Sequence, residues 1–240
     1  MIVTRTSMTA WLCGNHTTWG RLAAMGRGEE VTKRREVALA NLLAAAIKTF
    51  AEHGFHGSSI KDVARAAGVS PAAIYLYADS KEELLYLISR DGHQEAVRVV
   101  EAAVAGGGSV LERTRRAVHD LVLHHVRFHT MSRVVNYELA ALSREHSEEI
   151  VALRRQLNDA FKHLVDDGIT GGDFEPPDRR MAVTGLMSLA VDTARWYHPG
   201  LGPSYAPEII ADSYAEMAVR MLTGTAVPAV PAMSGGAPYA

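Results

Sequence analysis

Four residues spaced Ala64-x3-Gly68-Val69-x4-Ile74 are the first arrangement in this sequence with a clear physical purpose. The alanine lets two short helices cross closely, the glycine supplies the tight turn, and Val69 and Ile74 are placed to plug the angle between them. That is a helix-turn-helix spacing, and the surrounding charge says what such a module can hold. Residues 32–81 carry seven cations (Lys33, Arg34, Arg35, Lys48, Lys61, Arg65, Lys81) and four acids (Glu36, Glu52, Asp62, Asp79). The module is therefore +3, and since the whole chain is −2, the remainder is −5. A basic module on an acidic body suits phosphate binding.

Catalytic and metal chemistry finds less support. His119, His124, His125 and His129 cluster on one stretch, and His125 and His129 are four apart, the spacing of a metal pair on a helix. There is no Glu-x-x-His pair, and the single cysteine, Cys13, is remote in sequence. Ordinary surface or buried histidines are the default, so neither metal nor cofactor is expected. No nucleophile–base pair stands at a workable spacing, which argues against an enzyme. One cysteine excludes a disulfide framework and fits a reducing cytoplasm. No segment approaches the roughly 20 continuous apolar residues that would span a bilayer, so no membrane partner is expected.

The elements that position these residues read as helices throughout. Proline is nearly absent between Val31 and Gly168 apart from Pro71, no strand alternation occurs, and 48% of residues are hydrophobic. A first helix is expected over Thr32–His53, with Val37, Ala40, Ala44, Ile47 and Ala51 on one face and Leu43 and Phe50 beside them. Ser58 or Ser59 caps a second helix, Ile60–Ala67, with Asp62 near its N-terminus; Ser70-Pro71 starts a third; Asp79-Ser80 starts a fourth reaching about Val104. Beyond the Gly106-Gly107-Gly108 joint, helices are expected near 109–130, 132–143, 147–167, 177–197 and 207–222. The expected organisation is all-α. A disordered extension covers 1–30, consistent with an upstream start codon ahead of Met25. A helix-turn-helix domain covers 31–86, a ligand-binding and dimerisation domain 87–224, and a disordered Pro/Ala/Gly-rich tail 225–240.

Between Glu36 and Tyr86 the chain reads Ala46-Ile-Lys-Thr-Phe-Ala-Glu-His-Gly-Phe55, Ser59-Ile-Lys-Asp-Val-Ala64, Gly68-Val-Ser70, Ile74-Tyr-Leu-Tyr77 and Ser80-Lys-Glu-Glu-Leu-Leu85. In this it closely resembles the tetracycline-repressor (TetR) family of transcriptional regulators. The resemblance implies that the third helix enters the major groove of double-stranded DNA, through Ser70, Pro71, Ala72, Ala73, Tyr75, Leu76 and Tyr77. Tyr75 and Tyr77 would donate phenolic hydrogen bonds to phosphates, and Lys81 would pair with a phosphate. Ser59 and Lys61 would touch the backbone from the second helix, and Lys33, Arg34 and Arg35 would reach phosphate or the minor groove. Two positions depart from the family pattern. Ala78 stands where an aromatic is usual, and the third helix has no Arg, Asn or Gln to read bases bidentately. Sequence choice would then rest on thymine-methyl contacts, helix-end contacts and DNA shape.

The resemblance further implies a ligand site in the second domain and a homodimer through about 177–197 and 207–222. There Gly185 and Ser188 would let a partner helix approach closely. Residues expected at the ligand are Leu121, His125, Phe128, His129, Met131, Tyr137, Leu142, Met187 and Trp196, which suits a small, largely apolar effector. Arg195-Trp196-Tyr197-His198-Pro199-Gly200 looks like a motif of members that sense fatty acyl or sterol-derived coenzyme A thioesters; alternatively, Trp196 and Tyr197 simply anchor a helix end. The leading expectation is a repressor released from a palindromic operator by its effector, against a helical lipid-binding module or enzyme that merely retains the motif.

Overall fold

The computed structural model describes residues 27–224. The expected tail lies outside them, as does most of the expected N-terminal extension; Arg27–Glu30, assigned to that extension, are helical. Nine α-helices and two short 3₁₀ turns make up the described residues, with no strand among them.

Helix α1 (Arg27–His53) starts five residues before Thr32. Its buried stripe runs Leu42, Leu43, Ala46, Ile47 and Phe50, at three- and four-residue steps. Val37 is 42% exposed, so the inward face is rotated from the one drawn through Val37 and Ala40. The larger Leu and Phe side chains bury more apolar area than the alanines, and they set the helix's rotation. Helix α2 (Ile60–Ala67) opens with a reciprocal cap: Ser59 Oγ accepts from Asp62 N at 3.3 Å while Ser59 N donates to Asp62 Oδ2 at 3.0 Å. Gly68 ends it at φ +69°, a left-handed conformation that costs any side-chain-bearing residue about 1–2 kcal/mol. Ser70 Oγ accepts from Ala73 N to start α3 (Pro71–Ile74), and bonds from Tyr77 N and Ala78 N to Ile74 O carry the coil one turn further. Ile74 is fully buried and plugs the angle between α2 and α3. Val69 does not share that task, being 44% exposed.

Ser80 caps α4 (Lys81–Ala105), and after the glycine joint α5 (Val110–Arg127) opens with a second reciprocal cap, Ser109 with Glu112. The chain breaks at Phe128, and α6 is the short His129–Tyr137 rather than the helix expected over 132–143; a 3₁₀ turn at Leu139–Ala141 follows. Helices α7 (Arg144–Gly171), α8 (Arg179–Trp196) and α9 (Pro207–Thr223) complete the chain.

Two cores result. One joins Leu43, Phe50, Val63, Ile74, Leu84 and Ile88 to Met131, Val134 and Val135 of α6. The other joins Val100 of α4, Leu121 of α5, Phe161 and Leu164 of α7, Leu186 of α8 and Leu222 of α9. The first core therefore crosses the domain boundary expected at 86/87. Gly92 of α4 allows this crossing: a Cβ there would stand 3.0 Å from Val135 Cγ2.

Candidate nucleic-acid interface and effector cavity

Residues of α2, the turn and α3 form an exposed ridge. Lys61, Ser70, Pro71 and Ala72 are exposed, Tyr75 is 55% exposed and Leu76 70%. Ala72 and Leu76 offer apolar contact of the kind that fits thymine methyls, and Tyr75 has a free phenol edge. Lys61 makes no ion pair among the described residues, which leaves its ammonium available to a phosphate. The sequence reading passed over Arg65, one turn beyond Lys61 and exposed on the same helix, its Nη1 held 3.0 Å from Asp62 Oδ1. The Ser59 hydrogen bonds, with Arg65 adding attraction, hold the Asp62 carboxyl below the usual carboxylate range.

Other residues expected at DNA are partly committed within the protein. Ser59 and Ser70 accept through their hydroxyl oxygens as helix caps, and Ser59 also donates its hydroxyl hydrogen to Asp62, so only the Ser70 hydroxyl hydrogen is left to give to a phosphate. Ala73 and Tyr77 are half-buried, and Tyr77 packs on the first core. The Arg35 guanidinium lies 5.9 Å from the Tyr77 ring centroid and donates to Leu76 O at 3.4 Å, so it grips the end of the α3 turn. Arg34 is exposed and Lys33 half-buried on the same first helix. Lys81 revises its expected role: Nζ donates to Phe55 O at 2.6 Å and Ser58 O at 2.7 Å and sits 4.1 Å from the Phe55 ring centroid. It ties the loop before α2 to the start of α4, with one ammonium hydrogen left over.

In the second half, α4 to α8 enclose a cavity of about 300 Å³. Its wall includes His125, Met131 and Met187 from the expected set. Six expected residues lie elsewhere. Leu121 is a fully buried core residue whose carbonyl accepts from His125 Nδ1 at 2.9 Å. Phe128 and Leu142 pack on the first core, and His129 stands edge-on to Tyr197 with centroids 5.2 Å apart. Tyr137 is 47% exposed beside the Asp192–Arg195 ion pair, burial and the carboxylate raising its phenol pKa. Trp196 belongs to an aromatic knot with Tyr197, Tyr205 and Tyr214, which favours the anchoring role for that motif.

The reading along the chain missed His93, Asn136, Arg154, Arg155 and Val191, which also line the cavity. They sit on helices from which no pocket residue had been drawn, or one turn from a chosen one. Burial dominates the histidines here, pushing His93 and His124 down to about 4 and His125 to about 3. At neutral pH all three are uncharged imidazoles. Among the described residues no group of three or more His, Cys, Asp or Glu is placed to hold a metal ion, and no helix is long and apolar enough to cross a membrane.

A third surface runs along α8 and α9. Met181, Thr184 and Ser188 are exposed on α8, Ile209 and Met217 on α9, with Gly185, Leu189, Tyr214 and Met221 half-buried beside them. Leu186, Ile210 and Leu222 of the same two helices point into the second core instead.

Comparison with known proteins matches both halves of this arrangement. Residues 42–86 fit the family described as bacterial regulatory proteins, tetR family, and residues 107–222 fit the tetracyclin repressor-like C-terminal domain. The crystal structure of a tetR-family bacterial regulatory protein from Rhodococcus RHA1 is 35% identical, with a TM-score of 0.73, covering 78% of this chain and 98% of that one. The protein belongs to the TetR family. It is thus a helix-turn-helix, DNA-binding transcriptional regulator. The transcriptional repressor KstR2 of Rhodococcus jostii is 27% identical over 197 residues, 78% of this chain and 90% of that protein. AibR, solved in complex with isovaleryl coenzyme A and operator DNA, is 22% identical with a TM-score of 0.68, covering 75% of this chain and 97% of that one, a likeness of fold. In this TetR-family chain, the ridge of α2 and α3 lies within the residues matched to the tetR-family model, and most of the cavity wall lies within those matched to the C-terminal domain.

Proposed function

We infer that the protein is a homodimeric cytoplasmic repressor that leaves a palindromic operator when a small, largely apolar effector fills the cavity among α4 to α8. One observation carries this reading. Met131 and Val135 of α6 line the cavity and also belong to the core that seats the helix-turn-helix. A ligand that displaces α6 or α4 therefore shifts packing beneath the DNA-facing ridge directly, and close-packed cores pass on such shifts rather than absorb them. Two ridges must stand about 34–36 Å apart to meet successive major grooves, so a small rotation of each subunit suffices for release. Direct DNA contact falls to Lys61, Tyr75, Leu76 and Ala72, with Ser59, Ser70, Pro71, Ala73, Tyr77, Lys33, Arg34 and Arg35 supporting. Lys81 acts mainly by holding the module together.

The exposed apolar strip of α8 and α9 is where a second copy would dock, since Gly185 and Ser188 leave room for a crossing helix. An acyl coenzyme A thioester is the first effector to test, because AibR, alike in fold, was solved with isovaleryl coenzyme A. The test selects genomic fragments with the purified protein, then measures fluorescence anisotropy on the fragments retained. A two-fold symmetric site bound by a dimer and released by a cavity ligand is expected. Failure to retain any genomic fragment at low salt would sink the reading and favour a lipid-binding module.

A further inference from the structure

The cavity's polar groups are sorted by type, and the sorting specifies a ligand. If this cavity is the effector site, as proposed above, its wall chemistry sets what the effector must carry. The charged side chains in the wall are Arg154 and Arg155, successive residues of α7, and neither aspartate nor glutamate lines it. Neither arginine pairs with a carboxylate among the described residues. Arg154 Nη1 donates only to neutral acceptors, Asn136 Oδ1 at 3.3 Å and His93 Nε2 at 3.4 Å, both long for charge-assisted bonds. Both arginines are exposed at the cavity edge, where an entering anion meets them first.

Deeper, the imidazoles are set as acceptors. His93 Nδ1 lies 2.8 Å from Ser89 O, and His125 Nδ1 lies 2.9 Å from Leu121 O. A carbonyl can only accept, so each Nδ1 carries the hydrogen and each Nε2 offers a lone pair. Burial keeps both rings neutral, so neither supplies a second donor at physiological pH. His93 Nε2 is met by Arg154, whereas His125 Nε2 has no hydrogen-bond partner among the described residues although the side chain is nearly fully buried. An unpartnered acceptor on a residue of the cavity wall favours a ligand that brings a donor to it. The remaining wall is apolar, with Met131, Leu157, Met187 and Val191, and about 300 Å³ is at the small end of ligand cavities.

We propose that the cavity takes a hydroxylated acidic amphiphile of short or medium chain. Its anionic oxygens sit on Arg154 and Arg155, its hydroxyl donates to His125 Nε2, and its alkyl chain lies along the methionines. The anion is either the ligand's own carboxylate or the phosphates of its coenzyme A thioester extending past the arginines.

Isothermal titration of the full-length protein separates these outcomes, using 3-hydroxydecanoate, its methyl ester, decanoate and 3-hydroxydecanoyl coenzyme A. The charged probes are expected to bind at least about tenfold more tightly than the methyl ester, and Arg154→Gln/Arg155→Gln should erase that gap. Both arginines are exposed, so the double variant should fold. His125→Phe should weaken the hydroxy acid severalfold and leave decanoate unchanged, decanoate serving as the check that the cavity persists. If the free acid depends on the arginines, the carboxylate is the recognised anion; if only the thioester does, the phosphates are. An ester that binds as tightly as the charged probes, a double variant with unchanged affinities, or no binding by any probe overturns the proposal. Release of a retained genomic fragment is measured separately by anisotropy. A charged probe that binds without releasing DNA sinks the repressor reading and leaves the ligand class standing; release by a neutral ligand indifferent to both arginines does the reverse.

Discussion

The ridge of α2 and α3 and the cavity among α4 to α8 are built in opposite ways. The ridge comes from one continuous stretch, and its helices start and stop through hydrogen bonds reaching three or four residues: Ser59 with Asp62, Gly68 with Ala64 and Arg65, Ser70 with Ala73. Its chemistry is exposed to solvent. The cavity gathers residues from Gly92 to Val191 on five helices, and packing decides which of them face it. There desolvation outweighs every other influence on the three histidines. Local bonding makes a surface robust but nearly blind to distant events, whereas a cavity made of packed helices responds to its contents. Helix α6 lines the cavity and also packs into the core beneath the ridge, so it is where the two meet.

The largest effect is expected at Phe50, 1% exposed in the core that α6 shares with the helix-turn-helix. Phe50→Ala should cost about 3–5 kcal/mol in urea denaturation and weaken DNA binding with it. A loss below about 1 kcal/mol would mean the ridge does not lean on that core. Next comes acid. In the unfolded chain imidazoles take up protons near pH 6.5, whereas His93 and His124 resist until about 4 and His125 until about 3. Between those values the unfolded state binds more protons, so stability should fall as pH drops from about 6.5 toward 4 and stay level above about 7.5. His125→Phe should flatten the slope; a slope unchanged in that variant and in His93→Phe and His124→Phe would contradict neutral burial.

Lys81→Met should remove about 1.5–3 kcal/mol of stability, through the lost bonds to Phe55 O and Ser58 O, with little change in the salt dependence of DNA binding. A salt slope lowered by about 1 would return Lys81 to the phosphate contacts. The smallest structural effect is expected at Lys61. Lys61→Ala should leave denaturation unchanged while lowering the salt slope by about 1 and weakening all sequences alike. A sequence-selective loss would instead make Lys61 a base reader.

The α2–turn–α3 geometry was legible because its determinants are local: a serine cap, a left-handed glycine, a proline at the first helical position. Where the reading failed, a distant partner decided. Val37 and Val69 look like core residues by type, yet Leu43, Phe50 and Ile74 fill the available space. Lys81 looks like a phosphate ligand by position, yet two carbonyls from the loop before α2 reach it first. Of the residues expected at the ligand from their place on the helices, His125, Met131 and Met187 line the cavity; Arg154 was not among them, because its significance depends on His93 and Asn136, brought beside it from helices 61 and 18 residues away.

By itself the sequence determined the all-helical class, the helix-turn-helix and the family, since caps, turns and hydrophobic spacing act within a few residues and leave their pattern in the chain. Only the tertiary structure decided that α6 joins the core of the helix-turn-helix, that Lys81 binds two carbonyls of the loop before α2, and that two arginines without a carboxylate partner among the described residues share one cavity with neutral imidazoles. Those outcomes depend on which helices pack together, and close packing is a property of volumes meeting in space rather than of intervals along a chain.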